Sequence, residues 1–292
     1  MKIPWPYDHC IACGKLADLT EEHLIPESLG GRLTADFLCK SCNDDLGHRI
    51  EGLAKKDPAI ALAVRDFEAT HPEQAGGLAD GMDLIVHSVG GTSKARRWGN
   101  EIRVRRHKLP DGSLIQPTDE ARESVKRMLE KRGTPPNPLE EALRKFDSAP
   151  PDERVEIESG LEIVKWTVVR VQPDLSGTPL NPLLPLKIAF EFLACHLGAA
   201  IYDSAPPMEA IRDSLRSGAL DDSVQVEFLR GERKELVHGL LFEGNDPYAR
   251  FQIRLFGKLA YRVHFKHLAV GGKRFVYTHL LKSDEEGIAE AT

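Results

Sequence analysis

Two Cys-x-x-Cys pairs near the start of this 292-residue chain constrain its fold more than any other feature. The pairs are Cys10/Cys13 and Cys39/Cys42, with 25 residues between them. Two such knuckles can place four thiolates around one tetrahedral zinc ion. A module of about 56 residues has little core of its own, so we expect the structural zinc to supply much of its stability.

Residues with catalytic potential lie between and just after the two knuckles. The dipeptide Glu22-His23 lies between them, and Asn43 directly follows Cys42. An imidazole titrates near neutral pH and suits a general base, whereas carboxylate and amide oxygens suit Mg²⁺ or Mn²⁺. We therefore expect a site for metal-assisted phosphodiester hydrolysis. The alternative is a plain zinc ribbon that binds nucleic acid or protein without catalysis, with Glu22 and His23 on its surface.

The segments EHLIPESLGG (22–31) and LCKSCN (38–43), with the knuckle CIACG before them, resemble the treble-clef type of the HNH, or ββα-metal, endonuclease family. The subfamily they resemble is HNH endonuclease 5, and the resemblance covers about the first 56 residues. It implies that His23 is the general base, that Glu22 holds a divalent ion, and that Asn43 completes or orients the site. The products would carry a 5′-phosphate and a 3′-hydroxyl.

Two positions depart from the family pattern. Glu22 stands where the family more often has Asp or His, and its longer side chain would change the reach of the ligand. The third family position, on the helix, has no single match: His48 is the first candidate, and Asp44 and Asp45 are the alternatives.

The net charge of −6 hides a strongly uneven distribution. Residues 94–108 hold seven Lys or Arg and one acid, and residues 251–282 hold seven more and no acid. Local potential attracts phosphate more than total charge does, so we expect DNA as the partner, with RNA as an alternative. The predicted nucleic-acid contacts are Lys94, Arg96, Arg97, Arg103, Arg105 and Arg106.

The predicted fold class is α+β, with the zinc-stapled module followed by a larger α+β region that contains an antiparallel sheet. We expect three parts: residues 1–56, a middle region 57–150 that ends in a Pro-rich linker at 134–153, and a C-terminal domain 151–292. The predicted helices are 43–63, 118–131, 184–202 and 207–217. Pro58 either lies in a first turn or breaks the first of these, which would leave 59–69 as a second helix. The predicted strands are 82–89, 100–109, 161–171, 224–229, 238–242, 251–256, 260–266 and 275–281.

Composition and segment lengths also lead to an expected compartment and role. No run of about 18 apolar residues occurs and no apolar signal core follows Met1, so we expect a cytoplasmic protein without a membrane span. The C-terminal domain is expected to confer specificity or control, through a regulatory partner or a homodimer. The expected biological settings are phage defence, restriction, a mobile element or repair.

Overall fold

The computed structural model describes residues 1–75, 77–99, 101–109, 112–202, 206–229, 235–245 and 248–290. They form two compact units. The first unit joins Met1–Ala79 with Leu175–Thr292, and the second is Asp80–Asp174. Helices and antiparallel sheets occur in both, so the α+β class is confirmed.

The N-terminal part of the first unit is a short hairpin followed by helices. Strand β2 pairs antiparallel with β3, which places Glu22 opposite Ala35 and His23 opposite Thr34. The predicted break at Pro58 is confirmed: Pro58 begins α3, and the Asp57 carboxylate accepts the Ala59 N–H at 2.8 Å as the helix cap. The elements are β1 (Lys2–Ile3), β2 (Leu19–His23), β3 (Thr34–Cys39), α1 (Lys40–Leu46), a π-helical turn (Gly47–Glu51), α2 (Gly52–Ala54) and α3 (Pro58–Thr70).

The second unit contains two hydrophobic clusters. One lies on a four-stranded sheet of order β11-β4-β5-β6, and the other joins α4 and α5 to the β9–β10 hairpin. The elements are β4 (Asp83–Ser88), β5 (Gly91–Trp98), β6 (Glu101–Val104), β7 (His107–Lys108), β8 (Leu114–Ile115), α4 (Thr118–Lys131), α5 (Pro136–Ser148), β9 (Arg154–Glu158), β10 (Leu161–Val164) and β11 (Val168–Pro173).

The first unit is completed by two helices packed on a six-stranded antiparallel sheet of order β12-β15-β14-β13-β16-β17. Helix α6 packs on β13, β14 and β15, and both α3 and α7 pack on β15. The elements are α6 (Leu183–Leu197), a 3-10 helix (Gly198–Tyr202), α7 (Pro206–Ser217), β12 (Val224–Leu229), β13 (Val237–Asn245), β14 (Tyr248–Leu255), β15 (Leu259–Lys266), β16 (Arg274–Leu280) and β17 (Glu285–Glu290).

The compact units do not follow the predicted boundaries at residues 56 and 150. Helix α3 belongs with the C-terminal sheet because Phe67 packs against Phe256 and Asp66 pairs with Lys258 at 2.8 Å. The predicted linker at 134–153 is part of a folded core, since α5 buries Ala142 and Phe146 in the second unit. Strand β11 returns to pair with β4, so the second unit extends to Asp174.

Other elements differ from the predictions in detail. The predicted strand 161–171 is two strands, β10 and β11, which pair with different neighbours, β9 and β4. Strand β17 was not predicted, and the first residue of the predicted strand 100–109 lies outside the described residues. Among the described residues, one helical stretch, Leu183–Tyr202, is long and apolar enough to span a membrane by length and composition, but 67% of its most apolar window is buried within the protein.

Candidate functional site

The four knuckle cysteines converge at one point of the N-terminal module. Their sulfur atoms all lie within 4.8 Å of one another, and the Sγ atoms of Cys13 and Cys39 are 3.9 Å apart. Tetrahedral coordination with Zn–S bonds of about 2.3 Å requires sulfurs about 3.8 Å apart. None of the cysteines forms a disulfide. The four side chains therefore fit a structural zinc ion.

Backbone geometry shapes the first knuckle. Gly14 adopts φ +70 and its N–H donates to the Cys10 carbonyl at 2.8 Å, which closes the turn. Ile11 N–H donates to the Phe37 carbonyl at 3.0 Å, so the knuckle is held against β3. The second knuckle needs no such loop, because Cys39 ends β3 and Cys42 lies in α1.

His23 is the last residue of β2 and is half-buried at the wall of a cavity of about 460 Å³. Glu27 and Arg32 line the same cavity from the loop that follows. The opposite wall comes from the C-terminal sheet, where His279 Nε2 lies 3.1 Å from an Asp284 carboxylate oxygen. The other Asp284 oxygen lies 2.5 Å from Arg32. The candidate base thus faces a polar cavity that could receive a phosphate and a water molecule.

The loop after His23 keeps its shape through two glycines and a buried histidine. Gly30 adopts φ +84, and a Cβ on Gly31 would lie 1.7 Å from the Ile25 carbonyl oxygen. His238 Nε2 donates to the Leu29 carbonyl at 2.8 Å. Burial lowers the pKa of His238 to about 3, so this imidazole is neutral and keeps one tautomer.

Glu22 does not share the surroundings of His23. It is only 6% exposed, and its carboxylate lies 2.5 Å from the ammonium of Lys187 on α6. This alternation is what a strand produces, because successive side chains point to opposite faces. The same ammonium lies 2.8 Å from Glu51 and 2.8 Å from Glu191. We refer to Glu22, Glu51, Glu191 and Lys187 as the carboxylate cluster.

Three carboxylates around one ammonium leave the carboxylate cluster short of positive charge. Burial raises the pKa of Glu22 to about 7, and the nearby Glu51 adds to this, against the attraction of Lys187. Burial raises the pKa of Glu191 well above its usual range. Burial alone would lower the pKa of Lys187, but the three carboxylates raise it above its usual range. Lys187 is therefore charged, and the carboxylates compete for protons.

Asn43 connects the first helix to the strand that carries Glu22 and His23. Its Nδ2 donates to Thr20 Oγ1 at 3.0 Å and to the Glu21 carbonyl at 3.0 Å. These bonds support the predicted orienting role, because they anchor β2 beside Cys42. The amide nitrogen thus donates to one side-chain oxygen and one backbone oxygen of β2.

The structure does not assemble the divalent-ion site expected from Glu22 and Asn43. The Glu22 carboxylate is bound to Lys187, and the Asn43 amide nitrogen donates to β2. Within the described ranges, the cysteine cluster is the one set of three or more His, Cys, Asp or Glu side chains whose ligand atoms lie within 4.8 Å of one another. As arranged, the Glu22 carboxylate does not fit the expected Mg²⁺ or Mn²⁺ ion, because the Lys187 ammonium is its partner.

The candidates for the third family position lie on the surface of the helix. His48 is exposed in the π-helical turn. Asp44 pairs with Lys40 at 2.9 Å, and Asp45 pairs with Arg49 at 2.6 Å. None of the three belongs to the carboxylate cluster, and Glu51, at the end of the same turn, does.

The predicted nucleic-acid contacts lie in the second unit, where most are already paired. Arg97 Nε donates to the Gly99 carbonyl at 2.8 Å, and Arg106 is exposed. Such ion pairs reduce the positive potential that these side chains can offer to phosphate. The acid partners are Asp174 for Lys94, Asp83 for both Arg96 and Arg105, and Glu101 for Arg103.

Sequence reasoning did not find Lys187, Glu51 and Glu191. A signal was present in the sequence of α6, where Lys187 and Glu191 are the only charged residues in the apolar run LLPLKIAFEFLACHL. Their spacing of four places both on one helix face. A buried helix that retains two charged residues implies a partner for them, but the sequence does not say where that partner lies.

Comparison with known proteins agrees with the cysteine and histidine pattern. Residues 10–58 match the model of a family described as HNH endonuclease. The match indicates a nuclease-type function for this segment and a nucleic-acid substrate. Neither the search of curated proteins nor the search of solved structures found a match to the chain.

Proposed function

We propose that this protein is an HNH endonuclease that hydrolyses DNA phosphodiester bonds with His23 as the general base. The observation that carries the proposal is the position of His23. It ends β2, the strand whose other end pairs with Cys39, and lines a polar cavity, within a segment that matches the HNH endonuclease family. The β2–β3 hairpin followed by α1 supports a ββα-metal, treble-clef assignment for this module.

In the proposed reaction, His23 accepts a proton from a water molecule as the water oxygen attacks phosphorus. The P–O3′ bond then breaks, and the 3′-oxygen takes up a proton from solvent. The products are a 5′-phosphate and a 3′-hydroxyl. Asn43 keeps β2 in place during this step, because its two hydrogen bonds fix the strand that ends in His23. The zinc ion has a structural role.

The decisive experiment compares wild type and His23→Ala on supercoiled plasmid, with Mg²⁺, Mn²⁺ or a chelator. We expect nicking by wild type in at least one of these conditions and, in the same condition, a loss of about 100-fold or more in His23→Ala. His267→Asn is the matched control, since it removes an exposed imidazole and Asn tolerates the φ of +62 at this position. Equal nicking by wild type and His23→Ala would contradict the proposal.

The second candidate is a non-catalytic zinc module that binds nucleic acid or protein. The observation in its favour is that Glu22 is bound to Lys187 and not placed beside His23 as an ion ligand. It predicts that neither wild type nor His23→Ala cuts DNA under any metal. It also predicts that zinc is the only divalent ion that the protein retains.

A further inference from the structure

The six-stranded sheet of the first unit has one buried face and one face turned away from the helices. On β14 and β15 the two faces alternate along the sequence, except that the outward Ala260 is buried as well. The inward side chains are buried: Ala249, Phe251, Ile253, Leu255, Tyr261, Val263 and Phe265. The outward side chains that we call the basic face are half-buried or exposed: Tyr248, Arg250, Gln252, Arg254, Arg262, His264 and Lys266.

The basic face contains four permanent cations and no acid. In the register of β14 and β15, Arg250 lies opposite His264, and Lys266 lies opposite Tyr248. On the flanking strands, Glu243 lies opposite Arg250 and Glu227 lies opposite Arg262. The four cations therefore outnumber the two acids that lie opposite them.

Acids on the flanking strands neutralise only part of this charge. Glu227 on β12 lies 3.4 Å from Arg262, and Glu243 on β13 lies 3.3 Å from Arg274. The Lys266 ammonium donates to the Asp222 carbonyl oxygen at 2.9 Å, a contact that leaves its charge in place. The face thus keeps a net positive charge.

His264 lies between the cations of the basic face, and its pKa responds both to burial and to these charges. Its pKa is lowered, first by partial burial and then by Arg250, with Arg262 and Lys266 adding to the effect and Glu227 opposing it. The Nε2 atom of His264 and the Nε atom of Arg262 are buried and have no hydrogen-bond partner among the described residues.

An aromatic ring completes the face. Tyr248 is 50% exposed and lies directly opposite Lys266 in the register. Exposed aromatic rings beside basic side chains on a sheet allow bases to stack while the phosphates meet the cations. Side chains two residues apart on a strand are about 6.6 Å apart, roughly the separation of successive phosphates in an extended strand.

We propose that the basic face binds single-stranded nucleic acid, with phosphates on Arg250, Arg262 and Lys266 and a base stacked on Tyr248. This binding site is separate from the His23 cavity. The cavity is lined by His279 and Leu281, and His279 lies on the buried side of the same sheet. Binding at the basic face does not depend on hydrolysis at His23, so the two proposals can fail separately.

The experiment measures fluorescence anisotropy of labelled oligo(dT) and oligo(U), with a duplex of equal length as a further probe. The protein is the full chain carrying His23→Ala, which prevents cleavage. In the variant Arg250→Glu/Lys266→Glu we expect Kd to rise at least tenfold. The slope of log Kd against log salt should fall by about 1.4, since each phosphate contact on a single strand contributes about 0.7.

The matched control is Arg127→Glu/Arg144→Glu, which makes the same charge change at exposed positions of α4 and α5. We expect an unchanged Kd in this control and a rise of about fivefold or more in Tyr248→Ala. A milder variant, Arg250→Gln/Lys266→Gln, repeats the test if charge reversal prevents folding, as judged by circular dichroism. An unchanged Kd in the folded Gln variant, equal loss in the control, or preferential binding of the duplex would overturn the proposal.

Discussion

The four-cysteine cluster and the carboxylate cluster each gather side chains that repel one another when ionised, but they obtain positive charge from different sources. The cysteine sulfurs lie within 4.8 Å of one another with no cationic side chain among them, so their counter-ion must come from solution. The carboxylates surround Lys187, which lies 165 residues from Glu22 in the chain. One cluster can be completed by a metal ion, and the other is completed by the fold. The predictions below test this difference, from the largest effect to the smallest.

Removal of one cysteine ligand is expected to have the largest effect. Cys39→Ser should abolish stoichiometric zinc and unfold the N-terminal module, because structural zinc contributes about 10–16 kcal/mol of apparent binding energy. Cys195→Ser, on α6 and outside the cluster, is the matched control and should retain zinc. Zinc content by mass spectrometry and the circular dichroism of both variants check this. Full zinc in purified Cys39→Ser would show that the sulfurs do not form one site.

Removal of the internal cation is expected to have the next largest effect. Lys187→Met leaves Glu22, Glu51 and Glu191 without their common partner, and an uncompensated buried charge costs about 3–5 kcal/mol. Urea unfolding at pH 8 measures this cost. At pH 5.5 the loss should be smaller, since protonated carboxylates no longer need the ammonium.

A second substitution tests whether the stability lost in Lys187→Met is lost through unpaired charge. Lys187→Met/Glu191→Gln removes one carboxylate along with the ammonium and should recover part of the lost stability at pH 8. Equal unfolding free energies for the single and double variants would show that lost packing, and not unpaired charge, destabilises the protein.

Titration of Glu22 is expected to give a smaller, pH-dependent effect. Its pKa rises from 4.5 to about 7 on folding. A raised carboxyl pKa contributes stability below pH 4.5, and that contribution is lost as the pH rises through 7. Wild type should therefore lose stability relative to Glu22→Gln between about pH 4.5 and 7, by a few kcal/mol. Unfolding free energies of both proteins across this range, at constant zinc occupancy, check the sign. A difference in unfolding free energy that stays constant between pH 4.5 and 7 would contradict this prediction.

Loss of the connection between the two clusters is expected to have the smallest effect. Asn43→Ala removes the two hydrogen bonds from α1 to β2 and should cost about 1–3 kcal/mol. Zinc content should be unchanged, because the four sulfurs are untouched. Combining Asn43→Ala with Lys187→Met in a double-mutant cycle measures the coupling. Strict additivity would show that Asn43 does not link the clusters.

Much of the N-terminal module was predictable because its contacts are close in the sequence. The Cys-x-x-Cys spacing predicted a site for four sulfurs, and the structure brings the four together. The position of Pro58 predicted the start of α3, since proline suits the first turn of a helix. Short-range patterns of this kind act through local geometry and need no knowledge of the remaining chain.

The partners of Glu22 and of the basic residues were not predictable in this way. The divalent-ion role of Glu22 was implied by the family resemblance, but a strand turns adjacent side chains to opposite faces, and Glu22 instead contacts Lys187. The arginines of residues 94–106 were predicted to grip nucleic acid, and the register of β4 and β5 instead brings Arg96 opposite Asp83. Net charge along a segment does not reveal which charges a fold will pair.

By itself, the sequence determined the sulfur quartet and most of the helices and strands after residue 43, because spacing and periodicity act over a few residues. Tertiary structure alone decided that Lys187 fills the space beside Glu22 and that α3 joins the C-terminal sheet. It also decided that the cations of the basic face stay largely open to solvent, whereas most of those in residues 94–106 are paired with acids. These outcomes depend on packing between residues more than 100 positions apart. Burial and charge pairing select these partners, and local sequence patterns do not distinguish them from other candidates.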